Sequence, residues 1–196
     1  MARKLRIKGQ GLTHHCFSRC HGKKNLLLGK YGRKYFIEAI KMCQEKYHFE
    51  LVAAEIVANH IHLVIRTFEQ QPSISHIMQF IKARIAEKYN RAMGTTGAFW
   101  NERFGSTIIE EAEDPQQYLL WLLWYIGYNP VRKGIARNPR DTAIGFINCY
   151  LAENCEVSVK ITLHPYFTRL GSCFEERVNK FLFYEDAHLK RLALCF

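Results

Sequence analysis

Apolar and polar positions alternate from residue 57 to 66, in the run Val-Ala-Asn-His-Ile-His-Leu-Val-Ile-Arg. Side chains on a strand point alternately to its two faces. Ile61, Leu63 and Ile65 therefore share one face and read as core. His60, His62, Val64 and Arg66 share the other. The preceding run 49–57 reads as the hairpin partner of this strand across Ala58-Asn59. Upstream, residues 12–19 read as a first strand after the Gly9 and Gly11 breakers, and residues 20–32 as a Gly- and Lys-rich connection. Phe36, Ala39, Ile40, Cys43 and Tyr47 form a stripe at helical spacing over 33–47. Ser73 caps a long helix whose apolar positions, Ile74, Ile77, Met78, Ile81, Ile85 and Tyr89, step by three and four. A loop over 94–104 leads to a fourth strand, 105–110. Asp114-Pro115 is a helix start, and this helix is expected to stop near Asn129, before Pro130.

The order is thus β-α-β-β-α-β, then a helix. It predicts an α+β fold, a ferredoxin-like split βαβ core with an antiparallel sheet and helices on one face, followed by a further helix. Periodicity weakens after about residue 150. That divides the chain into a main domain, 1–150, and an extension, 151–196, which mixes a short strand with a terminal amphipathic helix.

Composition narrows the class. The chain has 196 residues, 48% of them apolar, enough for one domain with a real core. No stretch approaches the ~20 uncharged apolar residues of a membrane span, and the basic start, residues 1–10, lacks the apolar segment of a signal peptide. A cytoplasmic protein is expected. The seven cysteines are odd in number and contain no C-x-x-C pair, which argues for reduced, mostly packed thiols. A formal charge of +10 favours polyanionic partners, nucleic acid first.

Against that background the two histidines of the strand matter. On one face, roughly 6–7 Å apart at Cα, they can reach one cation. Two surface histidines without a shared task would show the same pattern, and two ligands are not a site. The helix 115–129 offers the rest. Tyr118, Leu122, Tyr125 and Asn129 step by four, three and four, so they share a face. A tyrosine hydroxyl can serve as a nucleophile, a cation held by the histidines can polarise a phosphate, and an Asn carbonyl oxygen is a hard third ligand. Tyr125 as a core aromatic and Asn129 as a cap for the next turn are the ordinary alternatives. Tyr128 is a second tyrosine in the same run. It points roughly 100° away from Asn129, so helix geometry favours Tyr125.

The segments "ANHIHLVI", "FWNERFGS" and "YLLWLLWYIGYNPVRKGIARNP" together resemble the IS200-like transposases, and within them the REP-associated tyrosine transposase branch. The likeness spans roughly residues 5 to 150. It rests on Asn59-His60-Ile61-His62-Leu63, on Arg103-Phe104 before a strand, and on the Tyr125-to-Gly134 run. Ala58 stands where that branch commonly has proline, and Gly127 where it has a bulky residue, which is expected to loosen the end of the helix bearing Tyr125. The resemblance implies an HUH single-strand DNA endonuclease and transposase with a single catalytic tyrosine, cutting and rejoining DNA near hairpins. Tyr125 would form a 5′-phosphotyrosyl bond, and His60, His62 and Asn129 would bind Mg²⁺ or Mn²⁺. The partner would be single-stranded or hairpin DNA, the protein a monomer or homodimer, nucleoid-associated when bound. Arg66, Arg103, Arg132 and Lys133 are expected along the phosphate path, with Trp100 stacking on unpaired bases. The alternative from another class is a catalytically silent hairpin-binding protein or regulator. A zinc deaminase is excluded by the missing H-x-E and P-C-x-x-C motifs. A two-histidine phosphodiesterase lacks its second His-x-Thr/Ser pair.

Overall fold

The computed structural model describes residues 11–193; the basic stretch 1–10, with the Gly9 breaker, and Cys195 lie outside the described residues. The order is β1 (Thr13–Arg19), α1 (Lys30–Lys46), β2 (Glu50–Ile56), β3 (His60–Arg66), α2 (Ile74–Met93), β4 (Gly105–Ile108), α3 (Pro115–Arg132), α4 (Pro165–Thr168) and α5 (Phe174–Ala193). The strands form one sheet in the order β2-β3-β1-β4, and every neighbouring pair is antiparallel. This is the expected split βαβ core.

The hairpin closes where the sequence placed it: Val57 N–H donates to the His60 carbonyl at 2.9 Å, leaving Ala58-Asn59 as the turn. Ile61, Leu63 and Ile65 are fully buried, in one cluster with Phe36 and Ile40 of α1 and Ile77 and Ile81 of α2. The other face of β3 is turned towards α3.

Four local expectations are corrected. α1 begins at Lys30, inside the stretch read as a connection, directly after Gly29 at φ 92°. Ser73 precedes α2 but makes no capping bond; its hydroxyl meets His76 Nδ1 at 3.2 Å instead. β4 stops at Ile108 and a 3-10 turn follows over Ile109–Glu111. α3 runs through Pro130 to Arg132. Asp114 does cap this helix, accepting from Gln117 N–H at 2.9 Å. Pro130 is buried and removes one donor within the last turn only.

Residues beyond 150 fold back onto the core. The short strand expected there is an extended segment with one backbone bond to the sheet edge, Thr162 N–H to the Leu51 carbonyl at 2.8 Å. The β2–β3 register shifts between Leu51 and Ala53, so the edge at this point is irregular and no ladder forms. α5 lies along α3. Trp124 stacks on Phe181 at 4.8 Å and donates its indole N–H to the Phe181 carbonyl at 3.0 Å. Glu185 accepts from Tyr128 Oη at 2.8 Å and from both terminal nitrogens of Arg140 at 2.9 and 2.8 Å. Glu185→Ala strands two polar groups at this junction and should cost on the order of 3 kcal/mol, read as a lowered urea midpoint. A midpoint within error of the parent would show that α5 is not held there.

Gly127 lies in the buried stretch of α3. A methyl group at this position would meet Pro139 Cβ at 3.4 Å and Ile147 at 3.7 Å. These are ordinary van der Waals separations, so the position also has room for alanine.

Candidate functional site

Directly opposed residues of antiparallel strands share a face. The pairs Arg19↔His60, Phe17↔His62 and His15↔Val64 therefore put Arg19, Phe17 and His15 on the histidine face. α3 crosses this face. A cleft of about 730 Å³ opens beside it, with His60, His62, Tyr125, Arg103, Arg19 and Phe17 in its lining.

The histidines are held by one nitrogen each. His60 Nδ1 lies 2.8 Å from Asn59 Oδ1, and Asn59 Nδ2 donates to the Lys23 carbonyl at 3.1 Å. That second bond fixes which way the amide faces, so Nδ1 of His60 is the donor and Nε2 carries the free lone pair. His62 Nδ1 lies 3.0 Å from His15 Nε2, with the two rings stacked at 5.2 Å. Nε2 of His62 is buried without a hydrogen-bond partner. The two rings are 5.0 Å apart and nearly perpendicular. Both imidazoles thus have Nδ1 engaged and Nε2 uncommitted, the arrangement of histidines that ligate a metal through Nε2. No group of three or more His, Cys, Asp or Glu able to hold an ion occurs among the described residues, so the protein's own contribution centres on this pair.

Burial lowers His15 to about 4. His60 is also lowered to about 4, by burial and then by Arg19 and Lys133. His62 falls well below the ordinary 6.5, by burial first and then by His15, His60 and Arg19. His164, on the rim of α4, is lowered to about 4 by burial. The sign for stability follows. The unfolded chain takes up protons below the ordinary imidazole value while these groups stay neutral in the fold. Stability is therefore complete above about pH 6.5 and declines as pH falls towards 4, with a slope of at most ~1.4 kcal/mol per pH unit for each of His15, His62 and His164. Urea midpoints should drop between about pH 7 and pH 5; a flat profile would contradict neutral, desolvated imidazoles.

Tyr125 stands edge-on to His62 with ring centres 6.1 Å apart, and stacks on Trp121 at 5.5 Å. Tyr128 faces away. Its hydroxyl is bound to Glu185, and burial, then Glu185, push its pKa up. Asn129 is buried and is not in the cleft lining; its Nδ2 donates to the Tyr125 carbonyl at 3.1 Å. Of the expected DNA contacts, only Arg103 lines the cleft. Lys133 acts on His60 electrostatically. Arg132 acts likewise on His188, against α5. Arg66 lies at the far end of β3, paired with Glu50 at 3.0 Å. Trp100 is half-buried, with its indole N–H bonded to the Lys82 carbonyl at 2.9 Å. The sequence reading did not select His15, Phe17, Arg19 or Asn59. Asn59 had a visible signal, its place beside His60 in the turn; the other three needed the β1–β3 register.

The family model "Transposase IS200 like" matches residues 9–119, which include His60, His62 and Arg103 and end before Tyr125. A Haemophilus influenzae protein, provisionally named a REP-associated tyrosine transposase, is 28% identical over 115 residues, covering 54% of this chain and 63% of that protein. The chain thus spans less than two thirds of this curated relative. The structure of a REP-associated tyrosine transposase bound to a REP hairpin superposes with a TM-score of 0.55 at 22% identity, covering 72% of this chain and 79% of the other. A provisionally named transposase from Deinococcus radiodurans gives a TM-score of 0.40 at 21% identity over 54% of this chain and 85% of its own. The family match runs through the whole sheet and its histidine pair, over more than half of the sequence, and places this chain in the IS200-like transposase family.

Proposed function

We propose that this protein is a transposase that cuts and rejoins single-stranded DNA beside hairpins, with Tyr125 as nucleophile and His60 and His62 as the ligands of Mg²⁺ or Mn²⁺. The observation that carries the reading is the placement of Tyr125, edge-on to His62, in one cleft with both histidines and two arginines. The phenolic oxygen attacks the scissile phosphorus. The bond from phosphorus to the 3′-oxygen breaks, the 3′-oxygen leaves with a proton, and a 5′-phosphotyrosyl linkage remains. Rejoining is the reverse attack by a 3′-hydroxyl. When bound, the divalent ion would supply Lewis-acid polarisation of a phosphate oxygen. Asn59 holds His60 in the tautomer this requires, and His15 holds the His62 ring through Nδ1. Asn129, bonded to the Tyr125 carbonyl, fixes the last turn of α3 under the nucleophile, and its Oδ1 is the candidate third ligand.

Hairpin DNA is the proposed partner, on the strength of the hairpin in the related structure and the +10 charge. Arg19 and Arg103, in the cleft, and Lys133, beside His60, are proposed to hold the phosphates. Residues 1–150 carry the chemistry, and 151–196 form an extension whose α5 braces the helix of Tyr125. None of the helices among the described residues is long and apolar enough to cross a membrane.

The test is incubation with a labelled hairpin oligonucleotide bearing single-stranded flanks, with Mg²⁺ or with excess EDTA. Ion-dependent cleavage with label retained on the protein is expected, and binding should weaken steeply with salt. Tight hairpin binding without any cleavage or adduct would favour the silent regulator instead.

A further inference from the structure

Phe17 is a large apolar side chain left 45% exposed on a strand whose other members are mostly buried. It lies inside the cleft of Tyr125 and the histidines, not on the outer surface. Its strand neighbour on β4 is Gly105. A Cβ at position 105 would overlap the Phe17 ring. The tip of the ring therefore reaches over Gly105, into space that a Cβ there would contest. On its other sides it is set at 5.7 Å from His15 and 6.4 Å from His62. Two residues along β1, on the same face, stands Arg19, opposite His60.

An isolated exposed aromatic needs no explanation. This one is different because a Cβ at Gly105 would overlap its ring and because it shares its cleft with Arg19, Arg103 and the proposed reaction centre. An exposed aromatic ring in one cleft with guanidinium groups fits one chemical class, an unpaired nucleobase with its phosphate. We propose that Phe17 is the stacking platform for an unpaired base next to the scissile phosphate, with Gly105 seating the ring and Arg19 gripping the adjoining phosphate. The platform replaces Trp100 in that role. The inference rests on the reading of the cleft as a single-strand DNA site.

The test uses Tyr125→Phe as the parent, to prevent cleavage, in EDTA. The probe is a hairpin oligonucleotide with 2-aminopurine placed at each position of its single-stranded flank in turn. Stacking on an aromatic ring quenches this base. One flank position should be quenched on binding. Phe17→Leu, which keeps an apolar side chain but no flat face, should abolish that quenching and weaken binding by about 5- to 150-fold, the range of one base–aromatic stack. Phe17→Trp should restore both. Gly105→Ala, which dislodges the ring without removing it, should resemble Phe17→Leu. Blunt duplex of the same sequence should bind all variants alike. Unchanged quenching and affinity in Phe17→Leu, while the wild-type chain still forms its covalent adduct, would overturn the platform and leave the nuclease reading intact. Failure of the wild-type chain to bind single strands or form an adduct would overturn that reading, and the platform with it.

Discussion

Tyr125→Phe should lose all covalent protein–DNA adduct while keeping fold and DNA affinity. The substitution removes one oxygen and nothing else. The ring still stacks on Trp121 and still stands edge-on to His62, so neither packing nor the shape of the cleft changes. Tyr128→Phe should behave in the opposite way. Its hydroxyl is spent on Glu185, and burial together with that carboxylate makes its anion harder to form. Losing this hydrogen bond to a charged group should cost about 1.5–3 kcal/mol of stability, with adduct formation retained. The two variants thus separate chemistry from structure on one helix. Peptide mapping of the trapped adduct decides: a phosphotyrosyl bond at Tyr128, or full activity in Tyr125→Phe, would remove the mechanism.

How far the sequence carried these assignments depends on the range of the interaction. The two-residue period of β3 and the three- and four-residue steps of α1 and α2 are local, and the sheet formed as expected from them. The same period set Arg66 on the histidine face, and it does lie on that side of the strand. Periodicity gives the side but not the position along it. Six residues of strand carry Arg66 roughly 20 Å from His60, where Glu50 neutralises it. Trp100 was marked by its type, yet its indole N–H has a backbone partner on α2. His15 and Phe17 were invisible for a different reason. Their importance is created by register, His15 meeting His62 and Phe17 meeting Gly105 across strands distant in sequence. Likewise, nothing in the weakly periodic tail announced that Phe181 and Glu185 would lock onto Trp124 and Tyr128.

His60→Ala and His62→Ala should each abolish ion-dependent cleavage and leave hairpin affinity within a few-fold of the parent. Nδ1 of each ring is engaged, by Asn59 or by His15, and a buried ring nitrogen left bare, as Nε2 of His62 is, carries a desolvation cost of about 1–3 kcal/mol. A protein that accepts this cost gains when a cation fills the position, so Mn²⁺ should stabilise the wild-type chain near neutral pH, the gain rising with the logarithm of its concentration above Kd. Neither alanine variant should show that stabilisation, which gives a readout independent of cleavage. In the absence of the ion, His62→Ala should lower the urea midpoint more than His60→Ala, because its ring is the more deeply buried and is braced by His15 as well as faced by Tyr125. Asn59→Ala removes the bond that fixes the His60 tautomer, together with the amide's bond to the Lys23 carbonyl, and should weaken Mn²⁺ binding about 10- to 100-fold without eliminating it. A weaker site of this kind is rescued by raising the ion concentration; a missing ligand is not. Calorimetric titration of Mn²⁺ into the four proteins, with cleavage measured over the same range of ion, checks the order. Undiminished cleavage in excess EDTA, or equal Mn²⁺ affinity in wild type and His62→Ala, would show that the histidine pair does not hold the ion.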